Sequence, residues 1–265
     1  MSISRQVPVI NWENGTCQSR DDKVAAEVPV ALTYNKRSHV VMMVTPTALE
    51  DFAIGFSLTE GIIRQPSDIL DISVIERENG LEAALTVNAD CFKRLAGQRR
   101  NLVGRTGCGL CGAESLDQAM RNPAVVSSHV SVEAAALQKA ILSLNSHQPL
   151  QVVTGAVHGA AWCTSAGGIL VLCEDVGRHN ALDKLIGFLF RTGFDPRDGF
   201  VLVSSRASYE MVYKAAAAGM EVLVSVSAPT ALAIDFAHRS GMTLVGFARP
   251  GRHNVYTFES RITDT

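Results

Sequence analysis

The C-terminal half of the chain alternates between continuous apolar runs and segments with helical periodicity. Four apolar runs of strand length occupy residues 169–173, 200–203, 222–226 and 243–247. Helical periodicity follows three of them, at residues 180–190, 208–218 and 230–239. Continuous apolar strands that alternate with helices are typical of a largely parallel sheet with helices on both faces. The pattern therefore predicts a three-layer α/β/α arrangement for this half.

The N-terminal half has a different pattern, which indicates a small α+β unit. Strand-like alternation covers four short runs, at residues 28–34, 39–44, 72–76 and 81–87. Between the second and third runs we expect a helix that opens at Thr47, because Glu50 three residues later would complete a capping box. The last two runs should form a hairpin that turns at Asn79-Gly80.

These patterns divide the chain into four parts. Residues 1–26 are polar and mixed in charge, which predicts a flexible N-terminal tail. We then expect a small α+β domain over 27–104, a mobile Cys-x-x-Cys loop and linker over 105–130, and an α/β cofactor-binding domain over 131–265.

Composition narrows the possible classes of protein. The chain has 265 residues, of which 47% are hydrophobic and 19% charged, and its net charge is -2. These values fit a soluble globular protein and argue against a non-specific nucleic-acid binder. No apolar run is long enough to span a bilayer, and the first residues lack a signal-peptide core. Six scattered cysteines do not resemble a disulfide framework, so we expect a cytoplasmic protein.

The candidate reactive group is the cysteine pair Cys108 and Cys111, which lies among glycines and close in sequence to four arginines, Arg94, Arg99, Arg100 and Arg105. Nearby cations favour the thiolate, and glycine leaves the thiol accessible. A structural zinc site normally needs four ligands, and this pair supplies two. A thioredoxin-like redox pair usually lies at a strand-to-helix junction, whereas this pair lies in a glycine-rich connector. Two ordinary buried thiols fit poorly with so much glycine and arginine. The pair therefore indicates reactive chemistry, but it does not by itself separate redox exchange from sulfur transfer.

A second candidate site lies where the apolar runs end. Ligands of open α/β sheets bind beyond the carboxyl ends of the strands. Polar segments follow the four runs there, at residues 174–180, 204–208, 227–230 and 248–254. These segments contain four arginines, Arg178, Arg206, Arg249 and Arg252, which can donate to phosphate oxygens. The first three segments lead into predicted helices, whose free N-terminal amides favour anions. Each segment alone could be structural, as caps or solvated charges. Together they favour a nucleotide or dinucleotide phosphate.

His158 is a further polar residue that could ligate a metal or transfer a proton. A lone histidine is more often a hydrogen-bonded structural residue. Zinc deaminases use His-x-Glu followed by Pro-Cys-x-x-Cys. Here Ala160 stands where the glutamate would be and no cysteine pair follows, so deaminase chemistry is not expected.

These segments together resemble the formate dehydrogenase accessory sulfurtransferase family, the FdhD proteins. The resemblance runs over residues 27–257, nearly the whole chain. The matching segments are Thr45-Pro46, Glu60-Gly61, the Cys108/Cys111 loop, Thr154-Gly155 with His158, and residues 174–184, 204–210, 227–230 and 246–256. Ser205 departs from the family pattern, because many relatives have glycine there.

The resemblance implies a sulfur relay. A cysteine desulfurase would load a persulfide onto Cys108, with Cys111 assisting receipt or delivery. The sulfur would then pass to molybdenum bis(molybdopterin guanine dinucleotide), a bound substrate that a guanine nucleotide should mimic, before insertion into formate dehydrogenase. The family also implies a homodimer and a C-terminal domain similar to cytidine deaminases.

The site residues expected from the resemblance and from the sheet edge are the following. The catalytic pair is Cys108 and Cys111, and no metal site is expected. The cofactor-binding residues are Arg178, His179, Ser204, Arg206, Phe247, Ala248, Arg249, Pro250, Gly251, Arg252 and His253. Two alternatives remain: a cofactor chaperone that needs the arginines but not the thiols, and a dithiol oxidoreductase.

Overall fold

The computed structural model describes residues 1–98, 124–127 and 129–264. The predicted catalytic pair, Cys108 and Cys111, lies outside the described residues, as do Arg99, Arg100 and Arg105.

The N-terminal segment forms a β-hairpin. Strand β1 (Ser4–Glu13) pairs antiparallel with β2 (Thr16–Ala25) over their whole length. Asn14 and Gly15 join them with φ values of 48° and 82°, as the tight hairpin turn requires. The prediction of a flexible tail was therefore wrong. The strands carry mostly exposed polar side chains, so composition concealed the hairpin, whereas the Asn14-Gly15 pair is the residue combination that such a turn favours.

The small α+β domain has the predicted elements. Its four-stranded sheet has the order β4-β3-β6-β5 and is built from β3 (Val28–Tyr34), β4 (Arg37–Val44), β5 (Ile69–Arg77) and β6 (Gly80–Val87). Helix α1 (Leu49–Thr59) packs its phenylalanines, Phe52 and Phe56, into the core of this domain, and α2 (Ala89–Gln98) follows β6. The predicted hairpin between β5 and β6 is present, but its turn lies at Glu78 and Asn79, because Arg77 pairs with Gly80.

The start of α1 differs from the sequence expectation. The helix begins at Leu49 after Ala48, whose φ of 48° is left-handed, and no side chain caps it. The capping box predicted from Thr47 and Glu50 does not form. Instead, Thr47 accepts a hydrogen bond from the buried ammonium group of Lys184 at 3.2 Å. A contact between domains has displaced the local cap.

The C-terminal domain is a six-stranded sheet with the order β13-β12-β11-β10-β8-β9. Its strands are β8 (His158–Thr164), β9 (Ile169–Asp175), β10 (Gly199–Val203), β11 (Val222–Ser225), β12 (Thr243–Arg249) and β13 (Arg252–Val255). A short parallel pair, β7 (Val132–Glu133) and β14 (Ile262–Thr263), flanks the sheet.

The sheet is less parallel than its apolar pattern indicated. Only β10, β11 and β12 are adjacent parallel strands, whereas β8 and β13 run antiparallel to their neighbours. A buried strand is apolar whichever way it runs, so the pattern could not reveal direction. Because β8 opposes both of its neighbours, β9 still runs in the same direction as β10. The carboxyl ends of β9 to β12 therefore meet at one edge.

Helices cover both faces of this sheet, which confirms the three-layer arrangement. Helices α3 (Ala134–Ser143) and α4 (Pro149–Thr154) precede β8, and α5 (Arg178–Thr192), α6 (Tyr209–Ala217) and α7 (Ala231–Ser240) follow successive strands. Alternate residues of β10 enter different cores. Val201 and Val203 pack with α5 to α7, whereas Phe200 and Leu202 pack with α3.

The two domains meet where α1 crosses α5 without intervening side chains. A β-carbon on Gly55 would lie 1.8 Å from the carbonyl oxygen of Asp183, and one on Gly187 would lie 1.8 Å from that of Asp51. Neither could be accommodated without separating the helices. The crossing therefore requires glycine on both sides.

Among the described residues, every helix is too short or too polar to cross a membrane.

We predict that Gly55→Ala lowers the free energy of unfolding by about 2 kcal/mol or more, because its methyl group would overlap the α5 backbone. Urea denaturation of the variant and the parent protein would measure the difference. Gly168→Ala is the control, since its β-carbon would only make an ordinary 3.4 Å contact with Thr164. Equal losses in the two variants would contradict the proposed role of the helix crossing.

Candidate functional site

A cleft opens at the carboxyl edge of the six-stranded sheet. Its volume is about 670 Å³, and its lining combines apolar side chains of α3 with polar groups from four other segments. Of the site residues expected from sequence, Ser204, Ala248, Arg249 and Pro250 line it, together with His158. The first four come from the ends of β10 and β12, as the topological argument expected.

The rest of the arginine-rich segment, residues 248–254, lies beside the cleft, where β12 turns into β13. The two strands shift register between Gly246 and Arg249, and Phe247 adopts a φ of 51° there. The Phe247 side chain is exposed, and its amide donates to the Ser227 carbonyl at 3.0 Å. The β-carbon of Ala248, by contrast, is buried beneath the cleft.

Gln138 of α3 holds the tip of this turn. The Gly251 amide donates to Gln138 Oε1 at 2.8 Å, and Gln138 Nε2 lies 3.0 Å from His253 Nδ1. Gly251 has a φ of 79°, which glycine adopts without strain. The turn is therefore anchored through backbone and imidazole groups, and not through its arginine side chains, as far as the described residues show.

Arg249 and Arg252 are directly opposite one another on the two strands. Both side chains are exposed, and neither has an ion-pair partner among the described residues. Like charges facing each other across a hairpin are destabilising. An anion placed between them would remove that repulsion and accept hydrogen bonds from both guanidinium groups.

Ser204 lines the cleft at the end of β10, next to β8. Its Oγ accepts from the Gly159 amide at 2.9 Å, and its own amide donates to the Gly159 carbonyl at 3.0 Å. The hydroxyl proton of Ser204 remains available to donate to a ligand.

Gln148 is a cleft residue that sequence reasoning missed. Its side chain is 3% exposed, and it lies so close over Gly159 that a β-carbon there would be 2.6 Å from Nε2. Nε2 has no hydrogen-bond partner among the residues that the structure describes. A buried amide without a partner costs free energy. In the sequence, Gln148 is an unremarkable polar residue before Pro149, and nothing in the pattern signals its burial.

Arg178, His179 and Arg206 lie at the same sheet edge but do not line this cleft. Arg178 starts α5 beyond β9, and its Nε is buried without a partner among the described residues. His179 Nε2 lies 2.8 Å from a carboxylate oxygen of Glu210, and Arg206 is exposed. Strands β8, β10 and β11 separate β9 from β12. The four arginines therefore do not converge: Arg249 and Arg252 face each other across β12 and β13, whereas Arg178 and Arg206 lie outside the cleft lining.

Segment 174–184 contributes several contacts that join the domains. The Asp175 carboxylate is fully buried, accepts from the Thr45 and Gly177 amides at 3.0 and 2.8 Å, and lies 2.7 Å from Lys184 Nζ. Lys184 also donates to the Thr45 carbonyl at 2.9 Å. Asn180 donates to the Asp175 carboxylate and to the Met43 carbonyl of the other domain. Most of this segment is thus satisfied internally and is not free to bind phosphate.

His158 stands between the cleft and the Arg178 side of the edge. Burial lowers the pKa of its imidazole, and the positive charges of Arg178 and His179 lower it further. The ring is therefore neutral near pH 7 and can both donate and accept a hydrogen bond.

The described cysteines are poorly suited to sulfur exchange. Burial raises the pKa of Cys163 and of Cys173 to about 12, so neither forms a thiolate readily at neutral pH. Burial also raises the pKa of Cys91, whereas Cys17 is exposed on the hairpin. Within the described ranges, no three His, Cys, Asp or Glu side chains cluster as metal ligands would.

Comparison with known proteins relates most of the chain to one family. The FdhD/NarQ family matches residues 25–263. The sulfur carrier protein FdhD of Cupriavidus necator is 52% identical over 254 residues, which cover 96% of this chain and 88% of that protein. The protein of the same name from Bordetella bronchiseptica is 45% identical over 256 residues, 96% of this chain and 93% of that one.

The fold is also found in a solved structure. A crystal structure described as a formate dehydrogenase accessory protein from Desulfotalea psychrophila superposes with a TM-score of 0.77 at 27% sequence identity. The match covers 99% of this chain and all of the other.

We predict that His158 titrates below the ordinary imidazole pKa of 6.5, and that Arg178→Gln raises its pKa by removing a nearby positive charge. Because the folded-state pKa lies below the unfolded one, His158 contributes stability above about pH 6.5 that is lost as the pH falls toward the folded-state pKa. Imidazole resonances followed by NMR titration would measure both pKa values. A His158 pKa at or above 6.5 in the parent protein would contradict the placement of this ring.

Proposed function

The chain belongs to the FdhD/NarQ family, and from that premise we propose that it is a sulfur carrier that serves formate dehydrogenase. Cys108 receives sulfur as a persulfide from a cysteine desulfurase. The carboxyl-edge cleft binds a guanine-nucleotide end of molybdenum bis(molybdopterin guanine dinucleotide), the substrate that accepts the sulfur. The observation that carries this proposal is the cleft itself, which Ser204, Arg249 and Gln148 line together.

The cleft has the dimensions and chemistry that a nucleotide needs. A volume of about 670 Å³ lies in the range of small-molecule sites. Apolar side chains such as Ile141, Leu144 and Val157 provide walls against which a flat base can pack. Arg249 lines the cleft and Arg252 faces it from β13, and neither has an ion-pair partner in the described part of the chain, so a bound diphosphate would neutralise them.

The pKa shifts and the positions of the described cysteines favour Cys108 and Cys111 as the sulfur carriers. A carrier thiol must ionise and must be reached by a donor protein. Cys91, Cys163 and Cys173 are disfavoured because burial raises the pKa of each. Cys17 is exposed but lies on the N-terminal hairpin, outside the segment that matches the family. This leaves Cys108 and Cys111 as the candidate carriers.

Loading requires a single exchange. The Cys108 thiolate attacks the terminal sulfur of the desulfurase persulfide, the sulfur–sulfur bond of the donor breaks, and the donor cysteine leaves as a thiolate. The terminal sulfur is then bound to Cys108. No outside oxidant or reductant takes part in this step.

Delivery as sulfide requires two electrons, which Cys111 can supply. Its thiolate attacks the Cys108 sulfur, a Cys108–Cys111 disulfide forms, and the terminal sulfur leaves as sulfide to the acceptor. A dithiol reductant of the thioredoxin class then restores both thiols. This assigns a separate role to each cysteine.

We predict that incubation with a cysteine desulfurase and free cysteine adds one sulfur atom at Cys108, because this thiol is the proposed acceptor. Mass spectrometry of peptides alkylated without reduction would locate the sulfur. Cys111→Ala should still load, but it should restore less formate dehydrogenase activity to a strain that lacks its own carrier.

Cys17→Ser is the matched control, since it removes an exposed thiol and should change neither loading nor activity. Full formate dehydrogenase activity in a strain that carries Cys108→Ala would refute the sulfur-transfer role. If Arg252→Ala abolished activity in that case, the protein would be a cofactor chaperone.

We predict that Arg249→Ala and Arg252→Ala each weaken GDP binding about tenfold, because each removes a charged hydrogen-bond donor to phosphate. Isothermal titration calorimetry would give the dissociation constants, and the binding should weaken as ionic strength rises. Arg20→Ala on the exposed strand β2 is the control. Equal GDP affinity in all three variants and the parent protein would place the phosphates elsewhere.

A further inference from the structure

We propose that the carboxyl edge holds a second anion site, separate from the arginine-rich turn, in which Arg178, His158 and Ser208 bind one phosphate-like oxyanion. The inference goes beyond the proposed function, because it needs neither the reactive cysteines nor a nucleotide in the cleft. Its basis is the set of polar groups at the ends of three neighbouring strands.

The first argument is that the fold places these three residues at adjacent positions. Strand β8 lies between β9 and β10 and runs antiparallel to both, so His158 at its start lies where those two strands end. Arg178 is the first residue of α5, which follows β9, and Ser208 directly precedes α6, which follows β10. His179 Nε2 lies 2.8 Å from Glu210 Oε2, so the starts of the two helices are in contact.

The second argument is a buried donor of Arg178. Its Nε is inaccessible to solvent and has no hydrogen-bond partner among the residues that the structure describes. Nearby carboxylates are engaged elsewhere, since Asp175 pairs with Lys184 at 2.7 Å and Glu210 pairs with His179. Buried polar groups of native proteins are nearly always paired, so this donor indicates a missing acceptor. Arg178 as a whole is only partly buried, and a dissolved anion can therefore reach it.

The third argument is Ser208, which lies where a helix-capping residue belongs but does not cap its helix. Thr230 occupies the same position before α7, and its hydroxyl accepts from the Ala233 amide at 3.2 Å. The Ser208 Oγ makes no such bond, and it is buried without a hydrogen-bond partner in the described ranges of the chain. This hydroxyl can donate to an anion, and the start of a helix favours negative charge.

The charges around His158 fit an anion at this place. Burial lowers the pKa of its imidazole, the positive charges of Arg178 and His179 lower it further, and Asp175 raises it. Glu210 is the other carboxylate at the two helix starts, and it is engaged by His179. An oxyanion would add negative charge beside the ring, so binding should raise the pKa of His158, and protonation of the ring should strengthen binding.

An oxyanion is the ligand that suits all three side chains. A guanidinium group, a hydroxyl and an imidazole can each donate a hydrogen bond to a phosphate oxygen, and the arginine adds positive charge. Two sources have this chemistry, namely free inorganic phosphate and the diphosphate of a second nucleotide.

The test follows the imidazole resonances of His158 in the full chain by NMR titration, with and without inorganic phosphate. Sodium chloride at the same ionic strength is the reference, because it screens charge to the same extent. Phosphate should raise the pKa of His158 by about 0.5 or more above the chloride reference.

Three variants locate the anion. Arg178→Gln and Ser208→Ala should each weaken phosphate binding, about tenfold for the arginine and less for the serine, because each removes a donor. Ser208→Ala should leave the melting temperature nearly unchanged, since the hydroxyl caps no helix. Arg252→Gln is the matched control, because it makes the same exchange as Arg178→Gln on the arginine-rich turn and should leave the effect of phosphate on His158 intact.

GDP distinguishes the two sources. If the site takes the diphosphate of a second nucleotide, isothermal titration calorimetry should show a second equivalent of GDP that Arg178→Gln abolishes. If it takes free phosphate, the parent protein should bind a single equivalent of GDP, and phosphate should still raise the pKa of His158. Either result supports the site.

The inference is overturned if phosphate and chloride change the pKa of His158 alike, or if the effect of phosphate is the same in Arg178→Gln as in the parent protein. Loss of the effect in Arg252→Gln would place the anion on the arginine-rich turn and would also overturn it. Absence of GDP binding would instead overturn the nucleotide proposed for the cleft, and the response of His158 to inorganic phosphate would still decide this site.

Discussion

The close crossing of α1 and α5 is the contact on which the rest of this structure depends. Gly55 and Gly187 bring the two backbones together, and buried ion pairs hold the crossing on either side. Asp175 pairs with Lys184 at 2.7 Å, and Asp183 pairs with Lys214 at 2.8 Å. Loss of one partner of a buried pair typically costs about 3–5 kcal/mol, because the other charge remains buried. Both pairs also hydrogen-bond to the N-terminal domain, through Thr45 and Thr59.

This crossing determines the geometry of the candidate site. Helix α5 starts at the carboxyl edge of the sheet, so its attachment to α1 places Arg178 and His158 relative to the N-terminal domain. The opposite edge is held separately. There the buried Glu221 carboxylate accepts from the Ser127 hydroxyl at 2.7 Å and from the His129 and Val130 amides at 2.8 Å each. The chain that returns after residue 123 is thus bound to the sheet at the edge away from the cleft.

The carboxyl edge has two kinds of polar residue, which differ in whether they have hydrogen-bond or ion-pair partners in the described part of the chain. Asp175 and Asn180 have partners that link the domains, so their prominence in the sequence reflects architecture. Arg249, Arg252 and Gln148 lack such partners among the described residues, which is the condition that the proposed ligand-binding role requires. Within the predicted phosphate-binding segment 174–180, Asp175 and Asn180 link the domains, whereas the binding role of Arg178 and His179 stays a prediction. The arginine-rich turn lies at an open cleft.

The sequence alone determined the layer arrangement, the approximate bounds of most strands and helices, and the family, which the comparisons confirm. These follow from local periodicity and from ordered motifs, both of which are properties of neighbouring residues. It could not determine strand direction, the displaced start of α1, or the burial of Gln148 over Gly159. Those features depend on contacts between residues distant in the chain, where packing outweighs local preference. Tertiary structure alone decided which arginines share a cleft, because a common sheet edge still separates strands that are several positions apart.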